Sequence, residues 1–197
     1  MLETGDPEKA CDVLNPIREL CLKHRIFAME PVVSGVLASA LCACEEAQSA
    51  LAITSFSIEK QFYKSAARHA WYFLFSSHAT ALAATGNTQE AIENLQRIVN
   101  DKEEASDPSL VVQSCILLGY VFLSKGETDS SIKIFERALQ MAERGRMLPS
   151  IARARFGLCE CYPFTNAQYD IHRKAGAEIS RSLGVDVNRV LHFLRKL

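Results

Sequence analysis

Cysteine, histidine and arginine are the residues of this 197-residue chain with chemistry to offer, and their spacing decides how much. Cys42 and Cys44 form one Cys-x-Cys pair; Cys159 and Cys161 form another. On a helix, residues two apart point about 200° apart, so neither pair can easily share a metal ion. No Cys-x-x-Cys occurs, and no histidine stands at ligand spacing beside either pair. The thiols therefore read as buried structural residues, and no metal or other cofactor is expected. His69 and His78 would lie on one helix, roughly 13 Å apart along its axis, too far to meet at one reacting atom. His24, His172 and His192 are scattered. There is no glycine-rich phosphate loop, no Gly-x-Ser-x-Gly elbow and no paired-carboxylate signature. The expectation is a protein that is not an enzyme.

The dense basic cluster is Arg144, Arg146, Arg153 and Arg155. Arg146 and Arg153 flank a turn and could converge with Arg144 on an acidic peptide or a phosphate. Aromatic residues do not alternate with these arginines, so nucleic acid is the less favoured ligand. The alternative is a solvated helix rim.

These residues sit on a helical frame. The stretch Gln113–Ala142 has two apolar helical runs around a Lys125-Gly126-Glu127 turn. The first carries Leu118, Gly119 and Phe122; the second carries Ile132, Phe135, Ala138 and Leu139 at helical spacing. Start signals recur along the chain. Asp6 can cap a helix from Pro7 to about Lys23, with Ala10, Val13, Leu14, Ile17, Leu20 and Cys21 inward and Pro16 kinking it or ending its first half. Pro31 opens a helix to about Glu46, rich in small residues such as Ser34, Gly35 and Ala38. A weaker helix, Ala47–Glu59, follows. Ser65–Thr85 reads as a buried helix around Trp71, Phe73, Leu74 and Phe75, and Gly86-Asn87 ends it. Thr88 starts a helix with Ala91, Ile92, Leu95 and Ile98 in one stripe. After a charged connector, Asp101–Asp107, helices are expected at Pro108–Ser124, Thr128–Arg144, Pro149–Tyr162 and Asn166–Leu183. Gly145 is the natural C-cap of the second of these, and Ala175, Ala177 and Ile179 pack the last. A final helix from Asp186, with Val187, Val190, Leu191 and Leu194 inward, would act as a lid.

Composition agrees. Hydrophobic residues make up 48% and charged residues 23%, as in an ordinary folded domain. Nine Gly and six Pro are too few for the turns of an all-β protein. The net charge of −1 gives no global steering to nucleic acid or membrane. It is unevenly spread: residues 1–110 hold 15 acidic and 9 basic side chains, and residues 140–197 hold 5 and 10. No run is long and apolar enough to span a bilayer, and free thiols fit the cytoplasm or the nucleus.

Gly86 and Gly126 occupy equivalent turns 40 residues apart, as do Ala91 and Ser131, Leu95 and Phe135, and Ile98 and Ala138. A fixed period of this size marks a helical solenoid. The segment Val112–Ala142 resembles the tetratricopeptide repeat, with Leu118-Gly119, Phe122, Gly126, Ser131, Phe135 and Ala138 in that family's order. The best repeats are 72–104, 112–145 and 148–182, with a cap at 186–197. Longer helices than usual resemble the extended branch of the family, which includes adaptor and assembly subunits. The Ser114–Phe122 run, its glycine turn and the Arg153–Asn166 segment are also similar in layout to the C-terminal region of the cohesin-loader helical-repeat subunit.

The resemblance implies an all-α, right-handed solenoid of antiparallel helix pairs, with nine or ten helices in one domain over residues 1–197. Its start on the second helix of a unit suggests a fragment or isoform of a longer solenoid. The inner wall would present Gln113, Ile116, Leu117, Tyr120 and Ser124. Members of the family that grip a carboxylate place Lys and Asn there; Ile116 and Tyr120 instead suit a peptide or helix of a protein partner. The other reading is that they pack against a neighbouring unit. The expected role is a scaffold or adaptor in a multi-subunit complex. The alternatives are a structural segment of a larger solenoid, such as a cohesin-loading or cell-cycle assembly subunit, and phosphate or nucleic-acid binding through the basic C-terminal side.

Overall fold

In a computed structural model, residues 6–100 and 108–185 are described, apart from the side chain of Arg68. Every regular element among them is helical. The helices are α1 (Pro7–Lys23), α2 (Glu30–Ala43), α3 (Ala47–Glu59), α4 (Arg68–Ala84), α5 (Thr88–Val99), α6 (Pro108–Ser124), α7 (Thr128–Arg144), α8 (Leu148–Cys161) and α9 (Ala167–Ser182), with a 3₁₀ turn at Phe62–Ser65 before α4. The connector 101–107 and the expected lid at 186–197 lie outside the described residues. The chain forms two compact units, residues 1–94 and 95–197. Consecutive helices pack on one another in each, as expected of helical repeats.

In residues 95–197, α7 packs against both α6 and α8, α8 packs against α9, and α6 touches α8 directly. The centre is the fully buried ring of Phe135. A Cβ at Gly119 on α6 would stand 2.6 Å from that ring, and one at Gly157 on α8 would collide with it too. Glycine is needed there because the ring fills the space a side chain would take. Ser131, one turn earlier on α7, donates from Oγ to the Gly119 carbonyl at 2.7 Å. The motif recurs between α8 and α9, where a Cβ at Gly176 would lie 3.0 Å from the Phe156 ring. On α9 the buried residues are Gly176 and Ser180, while Ala175, Ala177 and Ile179 are only half-buried. The helix is turned so that its smallest residues meet Phe156.

In residues 1–94, α2 packs against α1, α3 and α4. A Cβ at Gly35 would come within 3.1 Å of the Phe73 carbonyl oxygen, so α2 and α4 meet nearly backbone to backbone. Ser39 and Ser77 hydroxyls join them at 2.9 Å. α1 differs from its sequence reading. It runs on through Pro16, and only Cys21 of its expected inner residues is buried. Val13, Ile17 and Leu20 are 59%, 37% and 52% exposed. The cause is Arg18. Its Nε lies 3.4 Å from Oε1 of Glu30, a fully buried carboxylate, and donates to Ser34 Oγ at 2.9 Å. Ser34 and Ser57 donate to the two Glu30 oxygens. Turning Arg18 inward turns the apolar stripe out.

The turns share one geometry. In six of them the backbone N–H five residues on closes back to the helix: Ile26 to Cys21, Glu46 to Leu41, Asn87 to Leu82, Glu127 to Phe122, Met147 to Ala142 and Val185 to Ser180. This is the Schellman ending, with a left-handed residue just before the closing N–H. Glycine fills it at 86, 126 and 184, but Arg25, Glu45 and Arg146 adopt it with φ of 56°, 68° and 53°. Gly145, expected to supply that conformation after α7, has φ −83° and leaves it to Arg146.

Two stability outcomes follow. Gly119→Leu should overpack the ring and cost roughly 1–3 kcal/mol; Gly119→Ala should cost less in a Phe135→Leu background than alone, because the partner has been shortened. Arg146→Gly should stabilise by about 1 kcal/mol by relieving left-handed strain at an exposed turn. Urea unfolding at constant pH reads both.

Candidate functional site

The face of α6 expected to line a groove is divided in the structure. Ile116 and Tyr120 are 3% and 5% exposed, Gln113 and Leu117 are half-buried, and Ser124 is exposed. Ser124 Oγ donates to the Val121 carbonyl at 2.9 Å and so caps its own helix end. Tyr120 meets Phe135 edge to face, with ring centroids 5.0 Å apart. Its hydroxyl is buried and has no hydrogen-bond partner among the described residues. Burial pushes the phenol far above its ordinary range; the charge of Glu160 adds to this and that of Arg153 opposes it. Ile116 and Tyr120 thus serve the packing of α6, and the accessible part of this face is Gln113, Leu117 and Ser124.

The arginines part in the same way. Arg153 on α8 is half-buried, and its charge acts on Tyr120. Arg155 pairs with Glu143 of α7 at 2.9 Å. Arg144 and Arg146 are exposed, Arg144 in the last turn of α7, where a cation complements the helix dipole. Of the four arginines, Arg153 is the one whose charge reaches Tyr120, while Arg144 and Arg146 stand exposed to solvent.

The cysteines are all free thiols. Burial pushes Cys42 up to about 12; burial, with the neighbouring Cys44, pushes Cys11 up to about 11. Such thiols stay protonated, and therefore weakly nucleophilic, at neutral pH. Among the described residues no group of three His, Cys, Asp or Glu could hold a metal ion. No described helix is long and apolar enough to cross a membrane.

Two polar constellations were not visible in the sequence. One is the Arg18–Glu30–Ser34–Ser57 network. The other joins His78 of α4 to Thr54 of α3, both buried, with His78 Nδ1 2.9 Å from Thr54 Oγ1. Thr54 Oγ1 also reaches the Ala50 carbonyl at 2.9 Å, so the direction of the His78–Thr54 bond follows the His78 tautomer. No fixed spacing announces either group; Glu30 directly before Pro31 in an apolar run was the one available signal.

The cohesin loading factor family model matches residues 1–154. The chain belongs to the cohesin loading factor family. No curated relative matches it. The matched span takes in α1 to α7 and the first turns of α8, and so all eight candidate residues. Of the two likenesses read from the sequence, that to the cohesin-loader subunit is the one the family model supports.

Burial holds His78 below its ordinary pKa of 6.5, partly offset by Glu90. Below pH 6.5 the unfolded chain therefore binds a proton that the folded chain refuses. This contribution to stability is full above that value and is lost as the pH falls towards the lowered one. Stability should drop as the pH falls below about 6.5, and drop less in His78→Gln; urea midpoints measured above and below that pH are the check.

Proposed function

We propose that this member of the cohesin loading factor family is a non-enzymatic structural segment of a cohesin-loading assembly, working in the nucleus within a multi-subunit complex. The observation that carries the reading is the family match across residues 1–154, spanning both compact units. The use of its distinctive residues supports it: Gly119, Ser131, Phe135 and Gly157 are occupied with packing helix on helix. Such a chain holds a shape and offers surfaces.

Within that role, binding of a partner's peptide or helix along α6 is the finer reading. Its support is narrower than the sequence suggested, because Ile116 and Tyr120 are buried. Substitutions there would test folding rather than binding. The informative positions are Gln113 and Leu117, half-buried on the same face.

Depleting the protein from cells that express it should lower the amount of cohesin recovered with chromatin, and re-expression should restore it. Cohesin recovery that does not change on depletion would overturn the loading role. Leu117→Asp, with an unchanged melting temperature, should reduce co-purification of the assembly's other subunits; full recovery would remove α6 as the contact and leave the loading role standing.

A further inference from the structure

The two ends of the unit formed by residues 1–94 are oppositely charged. α1, α2, α3 and α4 alternate in direction through short turns, so the α1–α2 turn and the α3–α4 connection share an end. The Phe27 and Phe62 rings, one from each, stack at 4.5 Å and 5°. Lys23, Arg25, Lys60 and Lys64 lie at this end, and all are exposed. Among the described residues no carboxylate pairs with any of them. The acidic side chains nearby are few: Glu30 is buried against Arg18, Glu19 lies 4.0 Å from Arg18, and Glu59 precedes Lys60. At the opposite end stand Glu8, Asp12, Glu45, Glu46, Glu90 and Glu93, at the start of α1, the α2–α3 turn and the start of α5.

The basic end is also apolar. Phe56 is 37% exposed and packs edge-on against Phe62 at 6.0 Å. Lys60 Nζ sits 5.8 Å from the centre of the Phe56 ring, with the Arg18 guanidinium at 5.5 Å. Ile26 and Met29, in the α1–α2 turn, are 43% and 56% exposed. Lys64 donates to the Gln61 side-chain oxygen, so it has a neutral partner but no carboxylate. Around half-exposed apolar side chains, these cations form a surface whose complement is both acidic and apolar.

We propose that this end of the unit docks an acidic, apolar-studded polypeptide segment of a partner in the assembly. A duplex DNA backbone would satisfy the cations but leave Ile26, Met29 and Phe56 without a partner. The Phe27 and Phe62 rings are stacked on each other and so are not free to receive unpaired bases. The acidic end is roughly 25 Å away along a helix of 17 residues, beyond the ~8 Å screening length at physiological salt, so a short segment docked at the basic end escapes its repulsion. The inference rests on the reading of this chain as part of a larger complex. It is tested on the purified protein, so the two fail separately.

The probe is a short fluorescein-labelled peptide of Glu, Leu and Phe, followed by anisotropy with the full 197-residue chain. The comparators are the same peptide with Gln for Glu, a poly-Glu peptide and a labelled DNA duplex. The Glu/Leu/Phe peptide should bind saturably and each comparator at least roughly tenfold more weakly. Lys60→Glu with Lys64→Glu should weaken the peptide roughly tenfold or more, and Met29→Ser should weaken it less; Glu90→Gln with Glu93→Gln should leave it unchanged. Circular dichroism confirms folding, and Arg25→Glu alone replaces the double reversal if that variant does not fold. Absence of saturable binding at low salt, or equal losses from both ends, would overturn the proposal. Tighter binding of the duplex, lost in the same lysine variant, would assign the surface to nucleic acid and overturn it as well.

Discussion

One aromatic ring sets the geometry of three helices. Phe135 projects from α7 into the space where α6 and α8 would each carry a side chain, and both offer glycine there. Replacing either glycine, or the ring, removes the fit for all three helices at once, because interiors are packed to crystal-like density and have no slack to absorb a methyl group. Ser131 reinforces the same contact through the Gly119 carbonyl, and Phe156 repeats the device on Gly176 of α9. The order of the unit is thus carried by alternating rings and glycines from one helix to the next. A helix face used this way is closed to ligands, which explains why Tyr120, beside Phe135, is buried.

The unit of residues 1–94 uses a different constraint. Glu30 is a carboxylate with no solvent exposure, and Arg18, Ser34 and Ser57 surround it. Removing one partner from a buried charge costs far more than a surface pair is worth, since the remaining charge cannot reach water. The network ties α1 to α2 and α3 and fixes the rotation of α1 about its axis. That rotation sends Val13, Ile17 and Leu20 outward. It also aims the Arg18 guanidinium at Phe56, where Lys60 joins it.

The helices were legible in the sequence because punctuation and periodicity agree. Asp6-Pro7, Gly86, Gly126 and the Ala91–Ile98 stripe each act within one helix or turn, and the structure keeps them. Gly119 and Phe135 were each legible from the repeat pattern within one helix pair, whereas their direct contact was shown by the structure. What could not be read depends on partners far apart in the chain. Arg18 and Ser57 meet at Glu30, Thr54 meets His78, and Gly157 meets Phe135, with no fixed spacing to announce them. Hydrophobic periodicity misplaced α1 because it assumes that the most apolar stripe faces the core; a buried ion pair took that position. The helix ends near Lys23, Glu46 and Arg144 were legible, but not that Arg25, Glu45 and Arg146 take the left-handed conformation there, because glycine was the only marker to look for. On the candidate site, Ile116 and Tyr120 carry the right chemistry for an apolar groove, and only the three-dimensional packing shows that α6 has already used them.

These constraints divide the labour within the chain. Side chains on helix faces are taken up by stacking, where small and aromatic residues alternate and leave little freedom for recognition. Charge is carried on the outer faces of helices, as by Lys133, Glu136, Arg173 and Lys174, and in the turns between them. In the turns, side chains can vary without disturbing a packed face, because the Schellman closure is made by backbone atoms. Arg25, Glu45 and Arg146 illustrate this: each carries a charge in a left-handed conformation that glycine would adopt with less strain. In residues 1–94 Arg25 lies at the end that also gathers Lys23, Lys60 and Lys64.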